Sequence, residues 1–275
     1  MTGDVLSVVV EELKDRNALS GVRPHEITVG ESVVLVELLV EDGDSGGNER
    51  LAGLAHNPER DDASASVSVP RDLATLLAPI EGSKTDSSAD GSIDRAIAVA
   101  TLNALSSPYI EWESGDPMAL LPPSVDVVAT VGLFAPALRK FADVEVRVIE
   151  REPIGAVETP DDVTLRPFRP TETTMAMSGA DAVFVTGSTF VYGGLERYVA
   201  AAPELASLIV VGATATVLPR PLFERGVDVV AGAEIADPDR ARRAVEAGAC
   251  GTDLHNRGVR KVYTENESST NLRLR

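Results

Sequence analysis

The sequence contains one cysteine, Cys250, three histidines and four lysines in 275 residues. A single thiol excludes a disulfide within the chain and fits a reducing compartment, so a cytoplasmic protein is expected. Cys250 sits in the small-residue stretch Ala247–Gly251 with no base nearby to activate it, and it is expected to be packed or idle. The histidines, His25, His56 and His255, stand far apart and form neither H-x-x-x-H nor H-E-x-x-H, and C-x-x-C is missing. Local spacing therefore encodes no tight zinc site. An oxygen-rich site for a divalent ion would have to be assembled from distant acids. Long apolar runs are absent too. Val33–Val40 is interrupted by Glu37 and falls far short of the roughly 20 residues that span a bilayer. Met1–Asp4 has neither the basic nor the apolar segment of a secretion signal, so no membrane association is expected. Aromatic residues make up only 4% of the chain against 44% hydrophobic, which leaves Val, Ala, Leu and Ile to build the core.

What is abundant is acid. Asp and Glu number 43 against 25 Lys and Arg, for a formal charge of −18. Acidic surplus with scarce lysine and plentiful Ala and Val resembles proteins of salt-loving cells; an ordinary acidic cytoplasmic protein is the alternative reading. A field of this sign repels phosphate backbones and anionic lipid, and no basic stripe with interleaved aromatics offsets it. Nucleic acid is not an expected partner. A homo-oligomer is compatible with the sequence, which does not specify the oligomeric state.

The hydrophobic pattern changes character partway along. Val5–Asn17 has helical spacing, with Asp4 as a candidate cap and Glu12 on the apolar face. Ile27–Val29, Ser32–Glu41 and Arg50–Ala55 are expected strands, the last two joined by a Gly/Asp-rich turn over Asp42–Asn48. Pro58–Ala65 and Gly82–Gly91 are expected loops. Arg71–Leu77 is an expected helix ended by Pro79, and Ile93–Leu105 an expected helix capped by Ser92. Glu111–Pro123, with Gly115, Pro117, Pro122 and Pro123, is expected to be a linker.

Beyond it Val125–Gly132 is an unbroken apolar run, as in a strand buried on both faces. Strands over Glu145–Ile149, Asp181–Thr186, Leu208–Val211 and Val227–Ala231 follow. Helices alternate with them over Pro136–Phe141, Thr171–Ser178, Leu195–Ala202, Arg220–Glu224 and Asp239–Ala247. Arg151–Pro170 is expected to be a long connection. This rhythm gives a Rossmann-like α/β parallel sheet with right-handed crossovers. The expected division is residues 1–118, an α+β domain; 124–265, the parallel-sheet domain; and 266–275, a flexible tail.

In open parallel sheets ligands bind beyond the strand carboxyl ends. Here those ends read Val131-Gly132-Leu133-Phe134, Thr186-Gly187-Ser188-Thr189, Val211-Gly212-Ala213-Thr214 and Ala231-Gly232-Ala233-Glu234. Glycine permits close approach of a ligand to backbone, and the helix that follows offers free N–H groups to an anion. Ser188, Thr189 and Thr214 add hydroxyls. Glu150 closes the second strand, where nucleotide-binding Rossmann domains place an acid on ribose hydroxyls; it also fits a solvated strand-end carboxylate. Gly132-Leu133-Phe134-Ala135-Pro136 departs from G-x-G-x-x-G, and Pro136 donates no N–H, which disfavours an NAD site. His56, at a strand end, faces either a cleft or solvent, and with Glu150 it is the candidate metal contact. His25 and His255 are expected at the surface. Asn103 is polar within an apolar helix, so its amide either holds a backbone loop or reaches a ligand.

The order of Ala98-Val99-Ala100-Thr101-Leu102-Asn103-Ala104, Val131-Gly132-Leu133-Phe134, Glu150-Arg151-Glu152-Pro153, Thr186-Gly187-Ser188-Thr189 and Val227-Asp228-Val229-Val230-Ala231-Gly232 resembles the putative heavy-metal chelation family, over about residues 4–264. The resemblance implies a small domain similar to the enolase N-terminal fold, then a Rossmann-like domain, with a site between them. Enolase activity is not implied, since the catalytic barrel is lacking. The resemblance also implies handling of a heavy-metal ion or a metal-chelating small molecule, with Asn103, Glu150, Gly187, Ser188, Thr189 and Gly212 lining the cleft. The expected function is binding of a small anionic or metal-chelating ligand there, by Gly132, Thr186 and Thr214 as well. The alternatives are an enzyme using a nucleotide-like cofactor such as S-adenosylmethionine, and a non-catalytic interaction protein. No pattern specifies a catalytic residue.

Overall fold

A computed structural model describes residues 4–41, 49–59, 69–81, 92–117 and 125–269. The expected turn at 42–48, the loop at 82–91, most of the loop at 58–65 and the linker segment 118–123 lie outside these residues.

The N-terminal part begins with helix α1 (Val5–Asp15) and an antiparallel meander of β1 (Val22–Val29), β2 (Val33–Val40) and β3 (Glu49–His56), followed by α2 (Leu73–Glu81) and α3 (Ile93–Ser106). β1 and β2 form a hairpin closed by Gly30 N–H donating to Val33 O at 2.9 Å. β3 pairs with β2 from Val40↔Glu49 to Val33↔His56, which delivers His56 to the end of the sheet. Helix α3 lies hard against β3, and a Cβ on Gly53 would stand 2.2 Å from Ala100 O. Only glycine allows this approach. From Ala96 to Ser106 every residue of α3 is buried, because both sides of the helix are covered.

Two caps and one break differ in outcome. Ser92 caps α3, its hydroxyl accepting from Arg95 N–H at 3.2 Å. Asp4 makes no side-chain cap on α1; Glu196 instead accepts from Val5 N–H at 3.2 Å. Pro79 lies inside α2 rather than ending it, close enough to the C-terminus that the helix runs only two residues further.

The rest is an eight-stranded sheet in the order β4-β11-β10-β9-β8-β5-β6-β7. Its elements are β4 (Glu113–Ser114), β5 (Val127–Val131), α4 (Ala135–Leu138), β6 (Glu145–Ile149), β7 (Thr164–Phe168), α5 (Thr173–Met177), β8 (Ala182–Thr186), α6 (Thr189–Tyr192), α7 (Leu195–Ala201), β9 (Ser207–Val211), α8 (Arg220–Phe223), β10 (Val229–Ile235), α9 (Pro238–Glu246) and β11 (Val259–Glu265). From β7 through β5 to β10 the strands are parallel, in the 3-2-1-4-5-6 order of a Rossmann sheet. β11 is antiparallel, and β4 pairs with it at the edge. The expected linker thus supplies an edge strand at Glu113–Ser114, and the expected connection Arg151–Pro170 holds β7. Residues 266–269 turn back on the sheet, with Asn266 N–H donating to Asp228 O at 2.8 Å and Ser269 hydroxyl to the Asp228 carboxylate.

One face of this sheet carries Ala129, Val131, Val183, Val185 and Val210 into a core continuous with that of α1, α2 and α3. The opposite face carries Val128, Val148, Phe184 and Ile209. No helix among the described residues is long and apolar enough to cross a membrane.

Candidate functional site

The connections leaving β5 and β8 depart to opposite faces: Leu138 of α4 joins one hydrophobic cluster, Phe190 and Val191 of α6 the other. Neighbouring strands whose chains diverge this way leave a crevice at their carboxyl ends. The glycines expected there stand side by side. A Cβ on Gly132 would lie 3.1 Å from Thr186 Cγ2, and one on Gly212 would lie 3.9 Å from Gly187 N. Gly187 N–H donates to Val211 O at 2.8 Å, and Gly212 N–H to Ala231 O at 3.0 Å. Gly187 is buried, and a Cβ there would sit 2.7 Å from Ala215 N, so its smallness serves the packing of the β8 and β9 tips. Gly212 (φ +122°) and Gly132 (φ +95°) have conformations that side chains rarely adopt.

The hydroxyls divide into two sets. Thr189 and Thr214 are buried and hold loops: Thr189 donates to Thr186 O at 2.8 Å, and Thr214 Oγ1 accepts from His56 N–H at 2.9 Å. Thr186 and Ser188 are half-buried, with their oxygens 3.0 Å apart. Glu150 spends one carboxylate oxygen on Leu133 N–H at 2.7 Å, which ties the β6 tip to the β5 tip. Asn103 donates to Leu54 O at 2.6 Å and Thr214 O at 3.2 Å, so its amide nitrogen pins the β3 end to the loop after β9. Its Oδ1 is buried with no hydrogen-bond partner among the described residues. The helices after β5 and β8 are single turns, one of them containing Pro136, so a helix dipole contributes little.

Two further residues stand at this site. The Arg151 guanidinium lies over the Tyr192 ring, 3.6 Å from its centroid. Tyr192 hydroxyl in turn meets His56 Nε2 at 3.0 Å. The three side chains form a chain from the β6 tip, across the helix after β8, to the end of the small sheet. Both residues carried a local signal: Arg151 follows Glu150 directly, and Tyr192 lies one helical turn after Ser188. Arginine, imidazole and hydroxyl groups together can bind a carboxylate or phosphate.

The same donors do not suit a bare heavy-metal ion. Soft metals select thiolate and grouped imidazole ligands. Cys250 is exposed and distant in sequence, and no group of three or more His, Cys, Asp or Glu among the described residues could hold a metal.

A family profile described as putative heavy-metal chelation (DUF364) matches residues 120–264. Solved structures are similar as well, and two of them are from the same family. A DUF364 protein of unknown function from Pyrococcus horikoshii superposes with a TM-score of 0.72 at 18% identity, covering 96% of this chain and 100% of that one. A DUF364 protein of unknown function from Desulfitobacterium hafniense gives 0.64 at 16% identity, covering 95% and 98%. At these identities the likeness carries the fold. No curated protein matches the sequence.

Proposed function

The chain belongs to the putative heavy-metal chelation family, and we propose that it binds a small anionic molecule, one that itself chelates a metal, at the tips of β5, β8 and β9. The observation that carries this reading is the Arg151–Tyr192–His56 chain beside the half-buried Thr186 and Ser188 hydroxyls. It offers donors to an anion where the ligands for a naked soft cation are not grouped. The metal therefore arrives already held, and the protein recognises the carboxylates of its chelator. Gly132 and Gly212 leave the backbone open to the ligand, while Glu150, Asn103 and Thr214 keep the loops in register. The cleft lies between the α+β part, which contributes His56, and the Rossmann-like part. The protein works in the cytoplasm, where its thiol stays reduced.

The test is calorimetric titration of the full chain with citrate, nickel citrate and Ni²⁺ alone. Citrate and its nickel complex bind at one site per chain, and Ni²⁺ alone does not. Arg151→Met and Ser188→Leu each weaken citrate binding about tenfold or more, as loss of a charge-assisted contact or blockage of the crevice requires. Stoichiometric uptake of Ni²⁺ alone, or citrate binding indifferent to both substitutions, refutes the reading.

A further inference from the structure

A second compartment lies on the other face of the large sheet. Thr130, Val148, Phe184, Val211 and Ala231 point to this side from five adjacent strands. Among the described residues, α4 and the turn Gly251–Leu254 roof it, leaving a cavity of about 390 Å³. That volume lies within the range of small-molecule sites. Arg151, Tyr192, His56 and Ser188 do not line it, and Gly212 marks where it borders the strand tips.

Three observations indicate that it is built for an occupant. Thr130 is 4% exposed, yet its hydroxyl has no hydrogen-bond partner among the described residues. Valine would occupy the same volume without that desolvation cost. His255, expected at the surface, lines the cavity, and its buried Nδ1 has no hydrogen-bond partner among the described residues. Burial and the neighbouring Lys261 hold its pKa below the usual imidazole value, so the ring is neutral at pH 7 and presents one donor and one acceptor. Lastly, Lys140 and Lys261 also line the cavity and converge on the single carboxylate of Asp116, which Lys261 meets at 3.1 Å. Two of four lysines in a chain of charge −18 thus gather at one rim.

We propose that this cavity is a binding site for a small monoanion with an apolar body. An aromatic or aliphatic frame packs among Phe134, Phe141 and Phe184, a polar group pairs with Thr130 and His255, and a carboxylate faces Lys140 and Lys261. The probe is 6-hydroxy-2-naphthoate, titrated into the full chain beside 2-naphthoate and the methyl ester of the hydroxy acid. The hydroxy acid binds one per chain, and its ester binds a few-fold more weakly, as expected of a partly exposed ion pair. Thr130→Val weakens the hydroxy acid roughly three- to tenfold, the loss of one hydrogen bond, and leaves 2-naphthoate unchanged. Lys261→Met abolishes the preference for acid over ester. Val211→Trp fills the space and removes binding altogether, whereas Ser188→Leu leaves it intact, which separates this site from the one at the strand tips. Lack of saturable binding at millimolar probe, or affinity unmoved by both Thr130→Val and Lys261→Met, overturns the proposal even if Val211→Trp fails to fold.

Discussion

Arg242 locks the small sheet to the large one. Glu37, in the middle of β2, is 1% exposed, and its carboxylate receives the Arg242 fork at 2.7 Å (Nε) and 2.9 Å (Nη2). Its only other charged contact among the described residues is Arg50 at a long 3.4 Å. Arg242 also reaches Glu26 at 3.0 Å, and Arg50 closes on Asp239 of the same helix at 2.7 and 2.8 Å. Arg242→Met keeps much of the apolar stem but strands Glu37 in the core. An uncompensated buried charge of this kind costs about 3–5 kcal/mol. Glu37→Leu alone costs less, because Arg242 keeps Glu26 and still touches solvent. The double variant, with both charges gone and the volume retained, returns to within about 1 kcal/mol of the parent, since a well-packed apolar pair replaces a buried ion pair at little cost. Urea unfolding of the four proteins closes the cycle, provided the m-values agree. The penalty for Arg242→Met should persist in molar salt, because ions screen buried pairs weakly. A penalty under about 1 kcal/mol, or a double variant as unstable as the two singles added, would show that Glu37 is not held as argued.

Asn103→Leu deprives the Leu54 and Thr214 carbonyls of their donor and should cost about 2–4 kcal/mol in urea unfolding; a negligible change would mean the amide is not the tie between β3 and the loop after β9. Asp239 is held down to about 2, chiefly by its hydrogen bonds from Arg50. A depressed carboxylate contributes stability above its unfolded value, near 3.8, and loses it as pH falls through about 2. The stability gap between the parent and Asp239→Asn should therefore be constant at neutral pH and close between pH 4 and pH 2; a gap that closes near neutrality contradicts this pairing. The charge of −18 predicts a salt requirement: raising salt from about 0.1 M to 1 M shortens the Debye length from about 10 to 3 Å and should raise the melting temperature, whereas an unchanged value removes the salt-adapted reading.

Five parallel strands and the helices between them, except the single turn α6, were legible because each must bury its own apolar face, and that need is written locally as periodicity. β7 was not, since Arg166 and Pro167 interrupt its pattern. As an edge strand it tolerates both, and its burial is slight. β11, with Arg260, Lys261 and Thr264, and two-residue β4 escaped detection for the same reason: strands at or near an edge owe little to hydrophobic burial. His255 gives no local sign of its place in the cavity wall, because a lone histidine near a polar tail reads as a surface group.

The Rossmann-like alternation, the glycine-bearing strand tips and the family follow from short-range pattern or ordered motifs, which the chain carries before it folds. The meeting of His56, Tyr192 and Arg151, the approach of Asn103 to two carbonyls from distant segments, and the packing of Gly187 against Ala215 arise from the folded arrangement alone. Those contacts join segments up to 136 residues apart in sequence. They are set by how closely α3 approaches Gly53 and by the Glu37–Arg242 pair, and no local periodicity encodes the relative placement of two sheets.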